Sequence, residues 1–273
     1  MNKKKVKFLF VVVVYRNVED IVELLCSIEK QVTDYRVVIV NNYYDEATKQ
    51  QFEAIAGQYD CDILNCENRG YGAGNNAGIR WAMEQYVFDC LIVSNPDIVI
   101  KKFPEETILA FQDGVIGGTI YNLQHRNQNP MLVRNNRFAT RMLYIGQKKN
   151  RALPMVVGKA IHKIERCMAN LFFKLSSKNK SRVYQIHGSF LIFTKVAIDQ
   201  IGAPYDEKMF LFGEEGYLAY LLKQKGIATY YCPGIEVLHK EDGSMKFRND
   251  VNEECVKASI YFFEKYYFNV GEH

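Results

Sequence analysis

The chain has 273 residues, and 48% of them are hydrophobic, which is enough for a sizeable core in one large domain or two small ones. No apolar run reaches the roughly 18 residues that a bilayer-spanning helix needs. The formal net charge of +4 is unevenly distributed, because residues 122–182 contain fourteen Lys and Arg and one acid. This segment therefore carries +13 and the rest of the chain −9, which suggests a segment that meets an anionic surface.

The N-terminal run MNKKKVKFLFVVVVYRN has the basic head and apolar stretch of a signal peptide. It lacks a small-residue cleavage site, so we predict a first strand here instead. Apolar runs and segments of helical spacing then alternate. The predicted strands are 7–14, 36–40, 61–65 and 91–93, and the predicted helices are 19–30, 46–58 and 75–86. This order predicts a parallel sheet with helices on both faces.

The run DCLIVSNPD at 89–97 stops abruptly on Asn95, Pro96 and Asp97. Because Pro96 has no N–H to donate to a neighbouring strand, the strand must end there, with Asp97 at its carboxyl end. Ligands bind at this edge in open α/β sheets. Asp97 is therefore a candidate ligand-binding residue, and the alternative is a carboxylate that only caps the next turn.

A glycine-rich loop, ENRGYGAGNNAGIR at 67–80, lies between the third predicted strand and the third predicted helix. Residues 72–77 match the dinucleotide fingerprint G-x-G-x-x-A, but that fingerprint follows a strand directly, whereas several polar residues intervene here. No Gly-Lys-Ser/Thr follows, which excludes a phosphate-binding P-loop. The remaining interpretation is a loop that leads into a helix amino terminus, which suits a phosphorylated or nucleotide ligand.

Five motifs follow one another in a fixed order: NRGYGAGNNAG at 68–78, SNPD at 94–97, HGSFLIF at 187–193, YDEKMFLFGEE at 205–215 and VLHKEDGS at 237–244. Together they resemble the family-2 glycosyltransferases with the GT-A fold, in the branch of the bacterial rhamnosyltransferases. The resemblance implies an α/β fold with a central, mainly parallel sheet flanked by helices. It divides one continuous domain into three parts. Residues 1–120 would form a nucleotide-sugar-binding half, residues 121–182 would form a basic helical insert, and residues 183–273 would form an acceptor-binding and catalytic half with a C-terminal helix.

The resemblance also implies an active site. Asp97 and His239 would bind Mn²⁺ or Mg²⁺, although a lone His is often only a structural hydrogen-bond partner. Glu215 would be the general base, with Glu214 as the backup, although the helix dipole alone also favours acids at a helix start. The residues expected at the acceptor are His187, Gly188 and Ser189. Those expected at the donor are Tyr15, Arg16, Asn41, Asn68, Tyr71, Gly72, Asn75, Asn76, Asn95 and Asp97.

Three positions depart from the family pattern. Asn41 stands where an Asp contacts the imide N–H of the base, and its amide oxygen still accepts but carries no charge. Tyr217 replaces the second acid of E-D-x-D, and Leu221 replaces an Arg one turn later. Two hypotheses remain: an inverting glycosyltransferase that extends a cell-surface glycan from a UDP- or dTDP-linked sugar, and a non-catalytic sugar-nucleotide-binding or scaffold homologue.

The basic segment contains a helix predicted over 156–175, with Val157, Ile161, Ile164, Met168, Leu171 and Leu175 on one face and Lys159, Lys163, Arg166, Asn170 and Lys174 mainly on the other. Such a pattern usually gives a core-packing helix with a solvated face. The excess of cations instead favours an anionic membrane surface, where each cation contributes ~1 kcal/mol and a lipid-linked glycan or glycolipid acceptor would be presented. No nucleic-acid-binding motif occurs, so nucleic acid is not an expected partner.

Cysteines and aromatic residues give two further expectations. The seven cysteines are odd in number and form no C-x-x-C pair, which predicts reduced thiols in a cytoplasmic protein. The basic segment adds the prediction of peripheral attachment to the inner face of the cell membrane. Tyr43, Tyr44 and the run YFFEKYYF at 261–268 are predicted to pack in the interior, because such runs usually fill a core.

Overall fold

A computed structural model of the chain describes residues 3–175, 179–241 and 251–268. Its strands are β1 Lys4–Val14, β2 Tyr35–Asn41, β3 Asp62–Asn65, β4 Tyr86–Ser94, β5 Ile98–Lys102, β6 Val115–Asn122, β7 Ser181–Val183, β8 Phe190–Thr194 and β9 Thr229–His239. Its helices are α1 Glu19–Gln31, α2 Glu46–Gln58, α3 Tyr71–Gln85, α4 Glu105–Leu109, α5 Arg137–Lys148, α6 Ala152–Leu175, α7 Lys195–Ile201, α8 Glu214–Gln224 and α9 Val251–Phe262, which continues as a π-helical turn over Phe263–Tyr267.

The predicted strands and helices of the first hundred residues are confirmed, but two begin at least four residues earlier than predicted: β4, at Tyr86 rather than at residue 91, and α3. This helix begins at Tyr71, four residues before the predicted start. Gly70 precedes it with φ 103°, a conformation that favours glycine. A Cβ at Gly70 would also lie 2.3 Å from the carbonyl oxygen of Phe210, so the position accepts only glycine without rearrangement. The sequence pattern missed the first turn because it is made of glycine and small residues rather than spaced apolar ones.

The sheet has the order β3-β2-β1-β4-β8-β6-β9-β5, and β7 pairs with β9. The first four strands are parallel, whereas β8 runs antiparallel to β4 and β6, and β5 runs antiparallel to β9. Strands β4, β6 and β9 therefore end at the same edge at which β8 and β5 begin. Because β1, β2 and β3 run parallel to β4, they end at this shared edge as well.

The connection from β4 to β5 shows that the sheet curls. Three strands separate β4 from β5, which would place them about 19 Å apart in a flat sheet. The turn from Ser94 to Ile98 can span at most about 14 Å. A register shift between Gly117 and Thr119 lies where β6 pairs with β9, and such irregularities bend a sheet. The curl brings β5 back against α1, where the N–H of Ile100 donates to Ser27 Oγ at 3.0 Å.

Strand β1 shows how the two faces of the sheet are covered. Phe8 and Phe10 pack on one face in a cluster that includes side chains of α1 and α2. Leu9 and Val11 pack on the other face with α3, α7 and α8. Because both faces are buried, the strand is a continuous apolar run rather than an alternating one.

The helix predicted in the basic segment is confirmed as α6, but its apolar face is not buried as a core helix would be. Ile164, Met168 and Leu171 are all exposed. The core-packing interpretation is therefore wrong for these three positions, while the side chains of Lys174 and Leu175 lie outside the described part. Within the described ranges, none of the helices has the length and apolar character needed to cross a bilayer.

Helix α3 approaches the sheet closely at Gly78. A Cβ there would lie 2.4 Å from Val40 Cγ2 and 2.6 Å from Val11 Cγ1, in a fully packed interior. Gly78→Ala should therefore lower the free energy of unfolding by about 1–3 kcal/mol, measured by urea denaturation. Gly57→Ala in α2 is the matched control, because no atom lies within 4 Å of its Cβ position. It should gain up to about 1 kcal/mol from helix propensity. Equal effects of the two substitutions would contradict the close approach.

Candidate active site

Asp97 and His239 form the centre of the shared sheet edge. Asp97 lies in the turn between β4 and β5, and Ile98 pairs with His239 in the β5–β9 ladder, so the ladder sets the two side chains side by side. His239 Nε2 and Asp97 Oδ2 are 3.4 Å apart, and both residues are buried. A buried carboxylate needs a cationic or hydrogen-bonding partner. The two side chains are therefore placed to hold a proton or a cation between them.

A second set of side chains orients His239. Gln128 Nε2 donates to Glu241 Oε1 at 2.7 Å, which turns the amide oxygen of Gln128 towards His239 Nδ1 at 2.9 Å. Because that oxygen can only accept, Nδ1 carries the hydrogen, and Nε2 is the nitrogen that faces Asp97, where it presents a lone pair whenever the ring is neutral. Such an outer partner fixes the tautomer of a metal-binding histidine. No sequence motif marks Gln128, so the sequence alone did not identify it.

His187, Gly188 and Ser189, the expected acceptor residues, lie just before β8 at the same edge. The rings of His187 and His239 are 5.4 Å apart, edge to face. His187 N–H donates to Asn129 Oδ1 at 2.7 Å, and His187 Nδ1 lies 3.0 Å from Ser189 Oγ. Burial lowers the pKa of the His187 imidazole, which favours the neutral ring. Asn129, which follows Gln128 in the chain, is a further residue that the sequence did not indicate.

Glu214 and Glu215 begin helix α8 after Gly213, a left-handed residue. Glu215 Oε1 accepts a long hydrogen bond of 3.4 Å from Gly188 N–H, and a Cβ on Gly188 would lie 3.1 Å from the same carboxylate. Glu214 is 5% exposed, and burial followed by the charge of Glu215 raises its pKa to about 8. The two acids therefore differ: Glu215 faces Gly188, one of the expected acceptor residues, and Glu214 is a buried acid whose raised pKa favours the protonated form at neutral pH.

Tyr71 joins these groups into one site. Its hydroxyl donates to Asn95 Oδ1 at 2.9 Å and lies 3.4 Å from the carbonyl oxygen of Gly188. Asn95 N–H in turn donates to the carbonyl oxygen of Ser189 at 2.8 Å. Burial, followed by the charges of Glu214 and Glu215, raises the pKa of Tyr71, so the phenol stays neutral. The start of α3, the end of β4 and the start of β8 are thereby held together.

Asn41, the expected base-contacting residue, lies at the end of β2 and is fully buried. Asn65 Nδ2 donates to the Glu53 carboxylate at 2.8 Å, so the Asn65 oxygen faces Asn41 and accepts from its Nδ2 at 2.8 Å. This chain of amides leaves Asn41 Oδ1 as a buried acceptor without a hydrogen-bond partner in the described part of the protein. A buried acceptor of this kind requires an explanation, and a ligand N–H would satisfy it.

Other residues predicted at the donor divide into two groups. The side-chain oxygen of Asn75 is also buried and without a partner among the described residues, as is that of Asn42, which was not predicted at the donor. Asn76, in contrast, uses both polar atoms on the backbone of Tyr205, at 2.8 and 3.1 Å. A Cβ on Gly72 would lie 3.1 Å from Tyr205 Cβ, so Gly72 and Asn76 fasten α3 to the loop before α8. Asn68 accepts from Gly70 N–H at 3.1 Å in the turn before α3.

Tyr15, Arg16 and Tyr44 form a surface group at the ends of β1 and β2. The Arg16 guanidinium lies 3.6 Å from the centre of the Tyr44 ring, and Tyr15 meets Tyr44 edge to face at 6.1 Å. Arg16 has φ 61°, an uncommon conformation for a non-glycine residue. Tyr43 and Tyr44 are 39% and 57% exposed, so the prediction that they pack in the interior is wrong. A run of aromatic residues at a strand end can serve a surface site as well as a core.

The C-terminal aromatic run does pack in the interior, as predicted. Phe262 and Phe263 form a cluster with Met209 and surrounding tyrosines. Tyr217 belongs to this cluster, with its ring 4.8 Å from that of Tyr266. The residue that replaces the second acid of the family motif therefore packs against the π-helical turn after α9. Gly243 and Ser244, the end of the last motif, lie outside the described residues.

The sheet edge provides two candidate metal ligands, Asp97 and His239. In the described ranges, no cluster of three or more His, Cys, Asp or Glu side chains could hold a metal ion by itself. Mg²⁺ and Mn²⁺ are commonly held by few protein groups together with substrate phosphates and water. A carboxylate and an imidazole lone pair directed at one another fit that arrangement.

Comparison with known proteins identifies the family. The sequence pattern described as "Glycosyl transferase family 2" matches residues 9–174, more than half of the chain. The chain belongs to glycosyl transferase family 2. A relative from Haloferax volcanii, the low-salt glycan biosynthesis hexosyltransferase Agl10, is 23% identical over 242 residues, which are 79% of this chain and 70% of Agl10.

Solved structures of other proteins share the fold, which is GT-A. S. aureus TarS 1–349 has a TM-score of 0.56 and 12% identity, with 98% of this chain and 75% of that chain covered. GalNAc-T7 with UDP, GalNAc and Mn²⁺ has a TM-score of 0.58 and 11% identity, with 86% and 43% covered. A longer TarS chain is covered over 40% of its length. The family-2 chain described here thus spans less than half of the longer TarS and GalNAc-T7 chains.

The raised pKa of Glu214 predicts a pH-dependent stability. Between about pH 4.5 and 8 the folded protein holds a proton at Glu214 that the unfolded chain has released. The unfolding free energy should therefore fall as pH rises through this window. Glu214→Gln cannot ionise, so its stability relative to the parent should rise by on the order of a few kcal/mol from pH 4.5 to 8, measured by urea denaturation.

The control for this measurement is Glu106→Gln, which removes the same charge from an exposed position in α4. It should leave the pH dependence of the parent in place. Identical pH profiles for the parent and Glu214→Gln would show that Glu214 is ionised in the folded protein.

Proposed function

We propose that this protein transfers a sugar, with inversion, from a nucleoside-diphosphate sugar to a hydroxyl group of a glycan acceptor. The observation that carries the proposal is the placement of Glu215 against Gly188, with Tyr71 and Asn95 connecting this region to the turn that holds Asp97. The Glu215 carboxylate faces the expected acceptor residues, and the Asp97–His239 pair, which can hold a cation, lies next to them. An inverting displacement needs these two functions and no covalent intermediate.

The donor is proposed to be a UDP- or dTDP-linked sugar. Uracil and thymine present an imide N–H, and the buried, unpartnered oxygen of Asn41 is a matching acceptor at the end of β2. Cytosine presents an acceptor at the corresponding position and would leave Asn41 unsatisfied, at a cost of about 1–3 kcal/mol. Asn41 therefore keeps the acceptor function of the Asp found in the family pattern, and its fixed orientation compensates in part for the missing charge.

Asp97 and His239 are proposed to hold Mn²⁺ or Mg²⁺. The bound cation would act as a Lewis acid that neutralises the departing diphosphate. The described side chains fit this role, because Gln128 keeps the Nε2 lone pair of His239 directed at the buried carboxylate. GalNAc-T7, which shares the fold, was solved with Mn²⁺ and UDP.

Glu215 is proposed to be the general base. Its carboxylate takes the proton of the acceptor hydroxyl while that oxygen forms a bond to the anomeric carbon from the face opposite the diphosphate. The bond from the anomeric carbon to the diphosphate oxygen breaks in the same displacement, so the configuration inverts. Tyr71 and Asn95 hold the backbone at Gly188 and Ser189, which sets the acceptor side at a fixed distance from the base.

The acceptor is proposed to be a lipid-linked glycan at an anionic membrane surface. Residues 122–182 carry a net charge of +13, and each cation near such a surface contributes ~1 kcal/mol. The same segment begins at the active site, where Gln128 and Asn129 contact His239 and His187. Attachment through this segment would therefore bring the membrane close to the acceptor residues.

Glu215→Gln tests the base. The amide keeps the shape of the side chain but cannot accept a proton, so turnover should fall roughly 100- to 10,000-fold while UDP affinity stays unchanged. Steady-state kinetics with a panel of UDP- and dTDP-sugars and a short soluble acceptor would measure both. Transfer at the parent rate by Glu215→Gln would exclude it as the base. If the parent binds the nucleotide but shows no transfer with any donor, the non-catalytic homologue is the better description.

A thermal-shift titration tests the metal and the donor together. A ligand at 100 times its dissociation constant adds ~2.7 kcal/mol to the unfolding free energy. UDP and dTDP should each stabilise the parent more with Mn²⁺ than with EDTA, whereas CDP should stabilise it less. Asp97→Asn should remove the Mn²⁺-dependent part, and Asp89→Asn, a change at an exposed position of β4, should keep it. An Mn²⁺ effect that survives in Asp97→Asn would place the metal elsewhere.

Gln128→Leu refines the same experiment. Without its acceptor for the Nδ1 hydrogen, His239 can adopt the other tautomer, so the Mn²⁺ affinity measured with UDP present should fall roughly 10- to 100-fold. UDP binding in EDTA should not change. Unchanged Mn²⁺ affinity would mean that Gln128 has only a packing role.

A further inference from the structure

Helix α6 presents an apolar stripe to the solvent. Its most exposed members each expose at least 55% of their surface: Leu153, Val156, Ile164, Met168, Leu171 and Phe172. Ala160 and Cys167 are also exposed and fall within the same stripe at helical spacing. Scattered single apolar residues on a surface need no explanation, but a continuous stripe on one helix does.

The opposite face of α6 is fastened to the rest of the protein. A Cβ on Gly158 would lie 2.7 Å from the carbonyl oxygen of Ala139, so α6 and α5 are in close contact there. The ring of Phe173 lies 5.4 Å from that of Tyr231 in β9. Glu165 accepts hydrogen bonds from Arg134 at 2.8 Å and from Asn136 at 2.7 Å. These contacts fix the rotation of the helix, and the stripe therefore faces outward.

Cations flank the stripe. Lys159 and Lys163 are exposed along one edge. Arg137 and Arg141 are exposed on the neighbouring α5, where Phe138 is 60% exposed. This combination of an apolar face and bordering cations is that of a helix lying in a membrane interface.

We infer that the α6 stripe inserts below the headgroups of an anionic membrane, with the helix parallel to the surface. This inference deepens the membrane attachment proposed above and rests on it. A helix of 24 residues is about 36 Å long, and in the interface it would bury its apolar face about 5–10 Å deep. A second copy of the chain could also cover the stripe, but it would bring two segments of net charge +13 together. Anionic lipid supplies the opposite charge.

Two exposed cysteines allow the depth to be measured. Cys167 lies in the stripe and Cys255 lies in α9. In Cys255→Ser a polarity-sensitive fluorophore is attached to Cys167, and in Cys167→Ser it is attached to Cys255. The full-length protein is mixed with vesicles that contain 30% phosphatidylglycerol and acyl chains brominated at mid-depth. The Cys167 probe should shift to the blue and be quenched, and the Cys255 probe should not.

A variant with Ile164→Ser, Met168→Ser and Leu171→Ser tests the stripe itself. These side chains are exposed, so the fold should persist, and vesicle affinity should fall by roughly tenfold or more because buried apolar area contributes to interfacial binding. Val87→Ser with Val196→Ser is the control, since both valines are exposed outside the basic segment and their loss should leave vesicle affinity unchanged. The parent should also retain part of its binding at a salt concentration that screens surface charge.

The outcomes separate the two proposals. Binding to anionic vesicles without quenching at Cys167, and with equal affinity for the triple variant, would overturn insertion and leave electrostatic attachment. No vesicle binding, with a dimer in sedimentation that the triple variant loses, would overturn both and assign the stripe to a second copy. The assay with a short soluble acceptor tests sugar transfer without a membrane. A negative result in that assay would therefore not change the interpretation of the depth measurement.

Discussion

A buried carboxylate at the curled edge of the sheet imposes the main constraint on this structure. Asp97 is 3% exposed, and an unpaired charge in such a position would cost far more than a hydrogen bond can return. The β5–β9 ladder sets His239 beside it, and Gln128 with Glu241 then determines which nitrogen of that ring faces the carboxylate. The candidate site of this family-2 protein is thus arranged around one charge that the fold holds away from water.

The second feature of the site is the separation of two neighbouring acids by their surroundings. Glu214 and Glu215 are adjacent in the chain and begin the same helix, where the dipole favours negative charge. Burial overrides the dipole at Glu214 and raises its pKa to about 8. Glu215 points instead to the loop before β8. The start of α8 therefore places Glu214 in the interior with a raised pKa and Glu215 against Gly188.

The departures from the family motif also have physical accounts. Asn41 retains a buried acceptor because Glu53 and Asn65 fix the direction of its amide. Tyr217 packs in the aromatic cluster under the π-helical turn, with its ring 4.8 Å from that of Tyr266. Neither change removes Asp97, His239 or Glu215 from the edge. These substitutions are compatible with a site that still binds a nucleotide sugar.

The sequence by itself determined the strands and helices of the first hundred residues and the end of β4 just before Asp97, because apolar periodicity, glycine and proline act over a few residues. The tertiary structure alone decided what meets at the edge. The antiparallel directions of β5 and β8 bring together residues far apart in the chain, and Gln128 carries no local signal for its contact with His239. The orientation of α6 was likewise beyond the sequence. Helical spacing reveals an apolar face, but contacts at Gly158 and Phe173 decide that it turns outward.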